Sequence, residues 1–132
     1  MEKTGFNFQQ REKTIRNYIE AYNDFDIEKM SADFSKDFIF KNIRNGEVDM
    51  VLSGIEEFNN QANRASGYFD ERAQTVKSFL HEQEKTEVVI YFQGILALDI
   101  PNGFKKGEAV DFECKSIFEF RNDQIIGITD IS

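Results

Sequence analysis

The chain of 132 residues carries a net charge of −8 and is 40% hydrophobic and 30% charged, a size and balance typical of one folded domain with a single core. The negative charge argues against nucleic acid and anionic membranes as partners, because it leaves phosphate groups without neutralising charge. One cysteine excludes an internal disulfide, and no signal-peptide or membrane-spanning pattern is present. We therefore expect a cytoplasmic protein.

The first predicted elements are helices. Apolar residues at helical spacing predict a helix over residues 9–23, and Asp26 is a suitable N-cap for a second, short helix. The capping-box pattern of residues 53–56 predicts a third helix that ends near Ala65, with Gly67 as its stop.

Alternating apolar and polar residues predict six strands. Asn45-Gly46 is a strong hairpin signal between strands over residues 37–43 and 47–52. Four further strands are predicted over residues 75–83, 87–100, 108–120 and 124–131. Their short connections favour antiparallel neighbours, and their length favours a strongly twisted sheet. The pattern predicts one α+β domain over residues 1–132, in which a curved, mixed or antiparallel sheet wraps around three N-terminal helices.

The strand from Val110 to Phe120 presents one face that is apolar except at two small side chains, Cys114 and Ser116. Its other face is mostly charged, which is typical of a half-buried strand. Small polar groups between bulky rings favour a strand that borders a cavity over one that only fills a core.

Four segments, in this order and spacing, resemble the SnoaL-like branch of the nuclear-transport-factor-2-like superfamily: Tyr18 to Glu28, Asp37 at the start of the first strand, Leu52 to Phe58, and Phe118 to Ile126. The resemblance implies a cone-shaped α+β barrel with a pocket at its open end. Enzymes of the superfamily include ketosteroid isomerase and polyketide cyclases, which implies chemistry without a metal or organic cofactor. Other members only bind ligands or dimerise, so the resemblance is specific for the fold and not for the function.

The resemblance to ketosteroid isomerase places Tyr18 at the oxyanion-binding tyrosine, but Asn42 and Ser116 replace its base and its acidic donor. Asparagine cannot take a proton at neutral pH and serine is the weaker donor, so that activity is disfavoured. The resemblance to polyketide cyclases places Asp130 and Ile128 inward on the last strand, although Ser116 stands where those enzymes have a histidine. Burial would raise the pKa of Asp130 and suit it to general acid–base catalysis.

The predicted catalytic residues are therefore Asp130 and Tyr18. The predicted ligand-binding residues are Asn42, Ser116, Cys114, Phe38, Phe40, Phe112, Phe118 and Ile128. A core tyrosine and a solvent-facing aspartate near the C-terminus are the alternatives for Tyr18 and Asp130. His81 begins a segment like the zinc motif H-E-x-x-H, but Lys85 replaces the second histidine, so we expect a surface histidine and no metal site.

Three functions remain open at this point. The first is binding of a small, largely apolar molecule in the cone, without chemistry. The second is a cofactor-independent isomerase, lyase or cyclase that uses Asp130. The third is a dimerisation module with a vestigial pocket, since the open sheet face would suit a homodimer.

Overall fold

Three helices and six strands form in residues 7–101 and 103–132, the part of the chain that the structure, a computed structural model, describes. In chain order they are α1 (Phe8–Asn23), α2 (Ile27–Met30), β1 (Phe34–Arg44), β2 (Glu47–Ser53), α3 (Gly54–Ser66), β3 (Phe69–His81), β4 (Lys85–Leu96), β5 (Ala109–Arg121) and β6 (Gln124–Ile131). The strands form one sheet in the order β2-β1-β6-β5-β4-β3. Only β1 and β6 pair in parallel among these neighbours. The predicted α+β class, with a curved sheet and three helices, is confirmed.

Side-chain caps begin the first two helices. The carboxamide of Asn7 and the carboxylate of Asp26 each accept a hydrogen bond from a backbone N–H three residues further on, at 3.0 and 3.2 Å. The predicted capping box of α3 is only half formed, because the Ser53 hydroxyl makes no cap bond. Instead the Ser53 backbone N–H donates to Glu57 at 2.8 Å, in the role predicted for Glu56.

The hairpin and strand predictions are confirmed in kind but not at every boundary. Asn45 and Gly46 have φ angles of 52° and 82°, as the tight β1–β2 hairpin requires. β3, however, begins at Phe69, well before the predicted residue 75. The register shift between Phe69 and Glu71 explains the difference, because it interrupts the alternation that marks a strand in sequence. β4 ends at Leu96 rather than at residue 100, where the chain turns away into a longer connection.

Five phenylalanines are buried in the core between the helices and one face of the sheet: Phe34, Phe38, Phe58, Phe118 and Phe120. Phe34 stacks on Phe38 with ring centroids 3.8 Å apart, and Phe58 of α3 meets both rings edge-on. Ile15 and Ile19 of α1 complete this core, which is continuous with the strand residues around it.

Arg11 connects α1 to the turn between β3 and β4. Its guanidinium is only 7% exposed and donates to the carbonyls of Glu82, at 2.7 Å, and Gln83. It also lies 5.0 Å from the ring centroid of Phe120. These contacts fix the first helix on the sheet, and the sequence analysis did not anticipate them.

His81 is not the surface histidine that the sequence predicted. Its side chain is 14% exposed, with Nε2 2.7 Å from a Glu12 carboxylate oxygen and Nδ1 2.9 Å from the Thr86 hydroxyl. Phe8 of α1 stacks on its ring. The helix therefore covers this end of β3.

Within the described ranges, no helix is both long and apolar enough to cross a membrane.

Candidate functional site

A cavity of about 260 Å³ lies between the helices and the concave face of the sheet. Its apolar wall is formed by Met30, Phe40, Met50, Leu52, Phe58 and Ala62. Polar groups line it from five elements: Tyr18 and Tyr22 of α1, Asn42 and Arg44 of β1, Gln61 of α3, Arg72 of β3 and Asp130 of β6. A mainly apolar surface with a few converging polar groups is the usual composition of a small-molecule site.

A larger surface groove of about 760 Å³ lies at the turns that join β3 to β4 and β5 to β6. Exposed charged residues such as Glu82, Glu84 and Arg121 line much of it, and no predicted site residue does. The smaller cavity, which is lined by four predicted residues, Tyr18, Phe40, Asn42 and Asp130, is therefore the candidate site.

The sheet register places Asp130 at the centre of the polar group. β6 lies between β1 and β5, and Asp130 is directly opposite Asn42 on one side and Ser116 on the other. Directly paired residues point to the same face of a sheet. The three predicted side chains consequently share one row on the concave face.

Ser116 and Asp130 form a direct contact in this row. The Ser116 hydroxyl donates to Oδ1 of Asp130 over 2.5 Å. Burial raises the pKa of Asp130 to about 6, while the hydrogen bond from Ser116 acts in the opposite direction. A carboxyl group with this pKa exists in both protonation states near neutral pH, so it can either accept or release a proton.

Asn42 is held by its neighbour on β2. Its side-chain amide donates to Oδ1 of Asp49 at 2.7 Å, and Arg44 lies 3.7 Å from the other oxygen of that carboxylate. The bond leaves Asn42 as a fixed neutral group beside Asp130. It can orient a ligand, but it cannot act as a base.

Tyr18 combines a packed ring with a polar end at the cavity. The ring meets Phe118 edge-on at 5.6 Å and lies within 6.4 Å of Phe34 and Phe58. Burial, with a further contribution from the charge of Asp130, raises the pKa of its phenol well above the usual value. Tyr18 is therefore a neutral hydrogen-bond donor at any physiological pH.

Arg72 and Tyr22 also line the cavity, and the sequence analysis did not include them. Arg72 is 7% exposed, and its guanidinium carbon lies 3.7 Å from the ring centroid of Tyr22. Burial raises the pKa of Tyr22 to about 12, although the charge of Arg72 lowers it. Arg72 belongs to a charged run, Asp70-Glu71-Arg72, that resembles a solvated loop in sequence. The one sequence signal for its inward orientation was its spacing. Arg72 lies an even number of residues from Gln74 and Val76, and residues spaced in this way share one face of a strand.

Six of the eight predicted binding residues lie outside the cavity lining: Ser116, Cys114, Phe38, Phe112, Phe118 and Ile128. Phe38, Phe118 and Ile128 are at most 1% exposed and belong to the core, because the rings of α1 and α3 pack directly on them. Phe112 is 49% exposed and packs against Phe92 with centroids 5.0 Å apart. Phe40, by contrast, does line the cavity.

Cys114 is half-buried beside the core and is not part of the lining. Burial, followed by the charge of Asp130, raises the pKa of its thiol to about 11. A thiol with this pKa remains protonated, so it is unsuited to nucleophilic chemistry. In residues 7–101 and 103–132, histidine, cysteine, aspartate and glutamate form no group of three that could hold a metal ion.

Solved structures with the same architecture are distant in sequence. IdmH, a candidate polyketide cyclase from Streptomyces antibioticus, superposes with a TM-score of 0.76 at 15% identity and covers 92% of this chain and 91% of its own. A candidate SnoaL-like polyketide cyclase from Jannaschia gives 0.76 at 14%, covering 92% and 84%. A ketosteroid-isomerase-fold protein from Catenulispora acidiphila, in complex with trimethylamine, gives 0.73 at 10%, covering 89% and 83%. At these identities the likeness establishes the fold alone.

No curated protein matches the sequence. The family model of the SnoaL-like domain, in contrast, matches residues 15–128. That span includes the whole of α2 and α3, the β1–β2 hairpin and nearly the whole sheet. Together with the cone architecture, it shows that the chain belongs to the SnoaL-like domain family.

Proposed function

We propose that the protein binds a small, largely apolar molecule in the cavity between α1, α3 and the sheet. The observation that carries this proposal is the composition of the cavity: an apolar wall with Tyr18, Asn42 and Asp130 converging from separate elements. Its volume of about 260 Å³ is slightly below the roughly 300–1,000 Å³ of sites that hold drug-sized ligands. The expected ligand is therefore a compact molecule of one or two rings.

A second candidate function, cofactor-independent catalysis, is supported by the pKa of about 6 at Asp130. In this role the ionised carboxylate takes a proton from carbon next to a ligand carbonyl. Tyr18 donates a hydrogen bond to the oxyanion that develops there, and Asp130 then returns the proton to a different atom. Ser116 positions the carboxylate through its 2.5 Å bond. Such a sequence is an isomerisation, and with a leaving group or an internal electrophile it becomes a lyase or cyclase reaction.

One probe reports on both functions. 2-Indanone is a compact two-ring ketone with exchangeable α-hydrogens, and its α-hydrogen exchange in D₂O can be followed by NMR. Binding should shift the amide resonances of the cavity residues, and base catalysis should accelerate the exchange by about 10²–10⁴-fold.

Two matched variants identify the group responsible. Asp130→Asn should abolish the acceleration while binding persists, whereas Asp123→Asn, at an exposed turn at the opposite end of β6, should change neither. Binding without acceleration in the native protein would leave ligand binding as the function and remove catalysis. Absence of cavity shifts with 2-indanone and related ketones would contradict the binding proposal.

We further propose that the outer face of the sheet forms a homodimer. Ile39 of β1 and Val51 of β2 are 41% and 53% exposed there. On the same face, Lys115 pairs with Glu87 at 3.6 Å. Mixed apolar and charged faces of this kind are typical of protein interfaces. Sedimentation should give a dimer that Val51→Lys dissociates, and a native monomer at micromolar concentration would contradict the proposal.

A further inference from the structure

Besides Asp130, the cavity lining contains a buried cation, Arg72. It lies on the wall opposite β5 and β6, the strands that carry Ser116 and Asp130. In the sheet, β5 and β4 separate β6 from β3, which carries Arg72. Three strand spacings of about 4.8 Å each amount to roughly 14 Å along the curved sheet. Arg72 thus lines the cavity from β3, whereas Asp130 lines it from β6, beside Asn42 and Arg44 of β1.

The side chain of Arg72 is fixed by α1. Its Nε donates to the Tyr22 carbonyl at 3.1 Å. The guanidinium carbon lies 3.7 Å from the Tyr22 ring centroid and 4.4 Å from that of Phe25. These contacts hold the guanidinium plane in one orientation while the side chain is 93% buried, since its exposure is 7%.

None of these contacts neutralises the positive charge. Across residues 7–101 and 103–132, no carboxylate forms an ion pair with Arg72. The groups that act electrostatically on it are the phenols of Tyr22 and Tyr18, both of which remain neutral because their pKa values are raised. A buried cation without a counter-charge destabilises the fold, and a bound anion would offset that cost.

We propose that Arg72 is an anion-recognition site for the ligand, and that the natural ligand carries a carboxylate or a similar planar acidic oxygen pair. The inference rests on the ligand-binding function proposed above and specifies the class of molecule. A planar guanidinium binds a carboxylate through two parallel N–H···O bonds. Stacking on Tyr22 and Phe25 covers the face of the guanidinium, so its N–H edge is the part that such bonds use.

This arrangement also orients the ligand. With its anionic group on Arg72, the apolar body lies along the wall of Phe40, Leu52 and Phe58, and the far end reaches Tyr18 and Asp130. An acid of this kind has a fixed negative charge at one end and its reactive or neutral polar group at the other. Since Asp130 has a pKa of about 6, its charge near neutral pH would disfavour the reverse orientation.

The test compares two probes that differ only in charge, phenylacetate and phenylacetamide, titrated near neutral pH with amide NMR or calorimetry. The native protein should bind the acid at least tenfold more tightly than the amide, because the charged hydrogen bonds form only with the acid. Arg72→Met, which keeps the length and removes the charge, should reduce this ratio to about one. Arg72→Lys should retain part of it, since an ammonium keeps the charge without the planar pair of donors.

Arg64→Met is the matched control, because Arg64 is an exposed arginine of α3 bonded to Gln61 outside this contact. It should keep the native ratio. Should Arg72→Met fail to fold, the native acid-to-amide ratio and Arg72→Lys decide the question.

Equal binding of acid and amide, or a preference that survives in Arg72→Met, would overturn the anion site while leaving ligand binding intact. If neither phenylacetate nor phenylacetamide binds, that result also counts against the anion site. In that case the 2-indanone titration shows independently whether the cavity binds ligands at all.

Discussion

The Ser116 hydroxyl donates to Oδ1 of Asp130 across the β5–β6 pair, over 2.5 Å. The bond joins β5, the strand whose alternation predicts a cavity, to Asp130, the carboxyl group that lines this cavity. A hydrogen bond to a carboxylate stabilises the charged form, whereas burial destabilises it, and here burial has the larger effect. The proton affinity of Asp130 is thus set by two neighbouring features that can be changed separately.

Removing the Ser116 hydroxyl should raise the pKa of Asp130 further. In Ser116→Ala, burial remains and the hydrogen bond that Ser116 donates to the carboxylate is lost, so the pKa should rise above its native value of about 6 by roughly one unit. The Asp130 carboxyl ¹³C shift, followed against pH, measures this change. Ser78→Ala, on the opposite face of β3, is the control and should leave the midpoint unchanged. A midpoint at or below the native one in Ser116→Ala would contradict the assignment.

Asp130→Asn should stabilise the fold above neutral pH. The pKa of Asp130 is about 6 in the folded chain against 3.8 ordinarily, so the folded state holds this proton more tightly than the unfolded state. The stabilisation that the bound proton of Asp130 gives to the folded state is fully present below about pH 4 and is lost as the pH rises through 6. Each tenfold difference in proton affinity corresponds to about 1.4 kcal/mol, so the loss is about 3 kcal/mol at most.

Urea unfolding at several pH values tests this linkage. The difference in unfolding free energy between Asp130→Asn and the native protein should grow from about pH 4 to 7 and then stay constant. A difference independent of pH would show that Asp130 has the same pKa in both states.

Tyr18→Phe should separate stability from function. The Tyr18 ring contacts remain in phenylalanine, and its hydroxyl forms no hydrogen bond within the described part of the chain, so unfolding free energy should change by less than about 0.5 kcal/mol. Acceleration of 2-indanone exchange should fall about 10–10³-fold, since an oxyanion donor is lost. Tyr68→Phe, at an exposed tyrosine, should leave it unchanged. Large destabilisation with unchanged exchange would make Tyr18 a core residue only.

Arg11→Met should destabilise the protein by about 2–4 kcal/mol. The substitution removes charged donors from the carbonyls of Glu82 and Gln83 and leaves them partly buried. Lys13→Met, an exposed change on the same helix, is the control and should cost less than about 0.5 kcal/mol. Urea unfolding gives the midpoints of the two variants for comparison. Equal midpoints would mean that the stability of the turn between β3 and β4 does not depend on Arg11.

Sequence periodicity and turn chemistry predicted most of the fold. Asp26 caps α2 as expected, and Asn45-Gly46 adopts the left-handed turn. The start of β3 was missed because a register shift removes the alternation near Phe69. That part of β3 is stabilised by packing instead: the Phe69 ring covers Gly94, where an added Cβ would come within 2.8 Å of it. Contacts of this kind depend on residues far apart in the chain and leave no periodic signal.

The candidate site was predictable where residues share a strand face and where the family resemblance indicated a residue, as it did for Tyr18 of α1. Asn42, Ser116 and Asp130 could be grouped because period-two alternation places each on the concave side. Which aromatic rings line the cavity could not be decided in the same way. Phe38 and Phe40 have the same phase on β1, and Phe58 of α3 meets both rings, yet Phe34 stacks on Phe38 and buries it while Phe40 lines the cavity. Arg72 was missed because its burial is produced by Tyr22 and Phe25 of another segment.

The central claim is that Asp130 is a proton-exchanging carboxyl group in a ligand cavity. A pH titration of its side-chain carboxyl ¹³C resonance in the native protein tests this most directly. The account predicts a midpoint near 6, displaced when 2-indanone occupies the cavity. A midpoint near the ordinary value of 3.8, unaffected by the ketone, would contradict it.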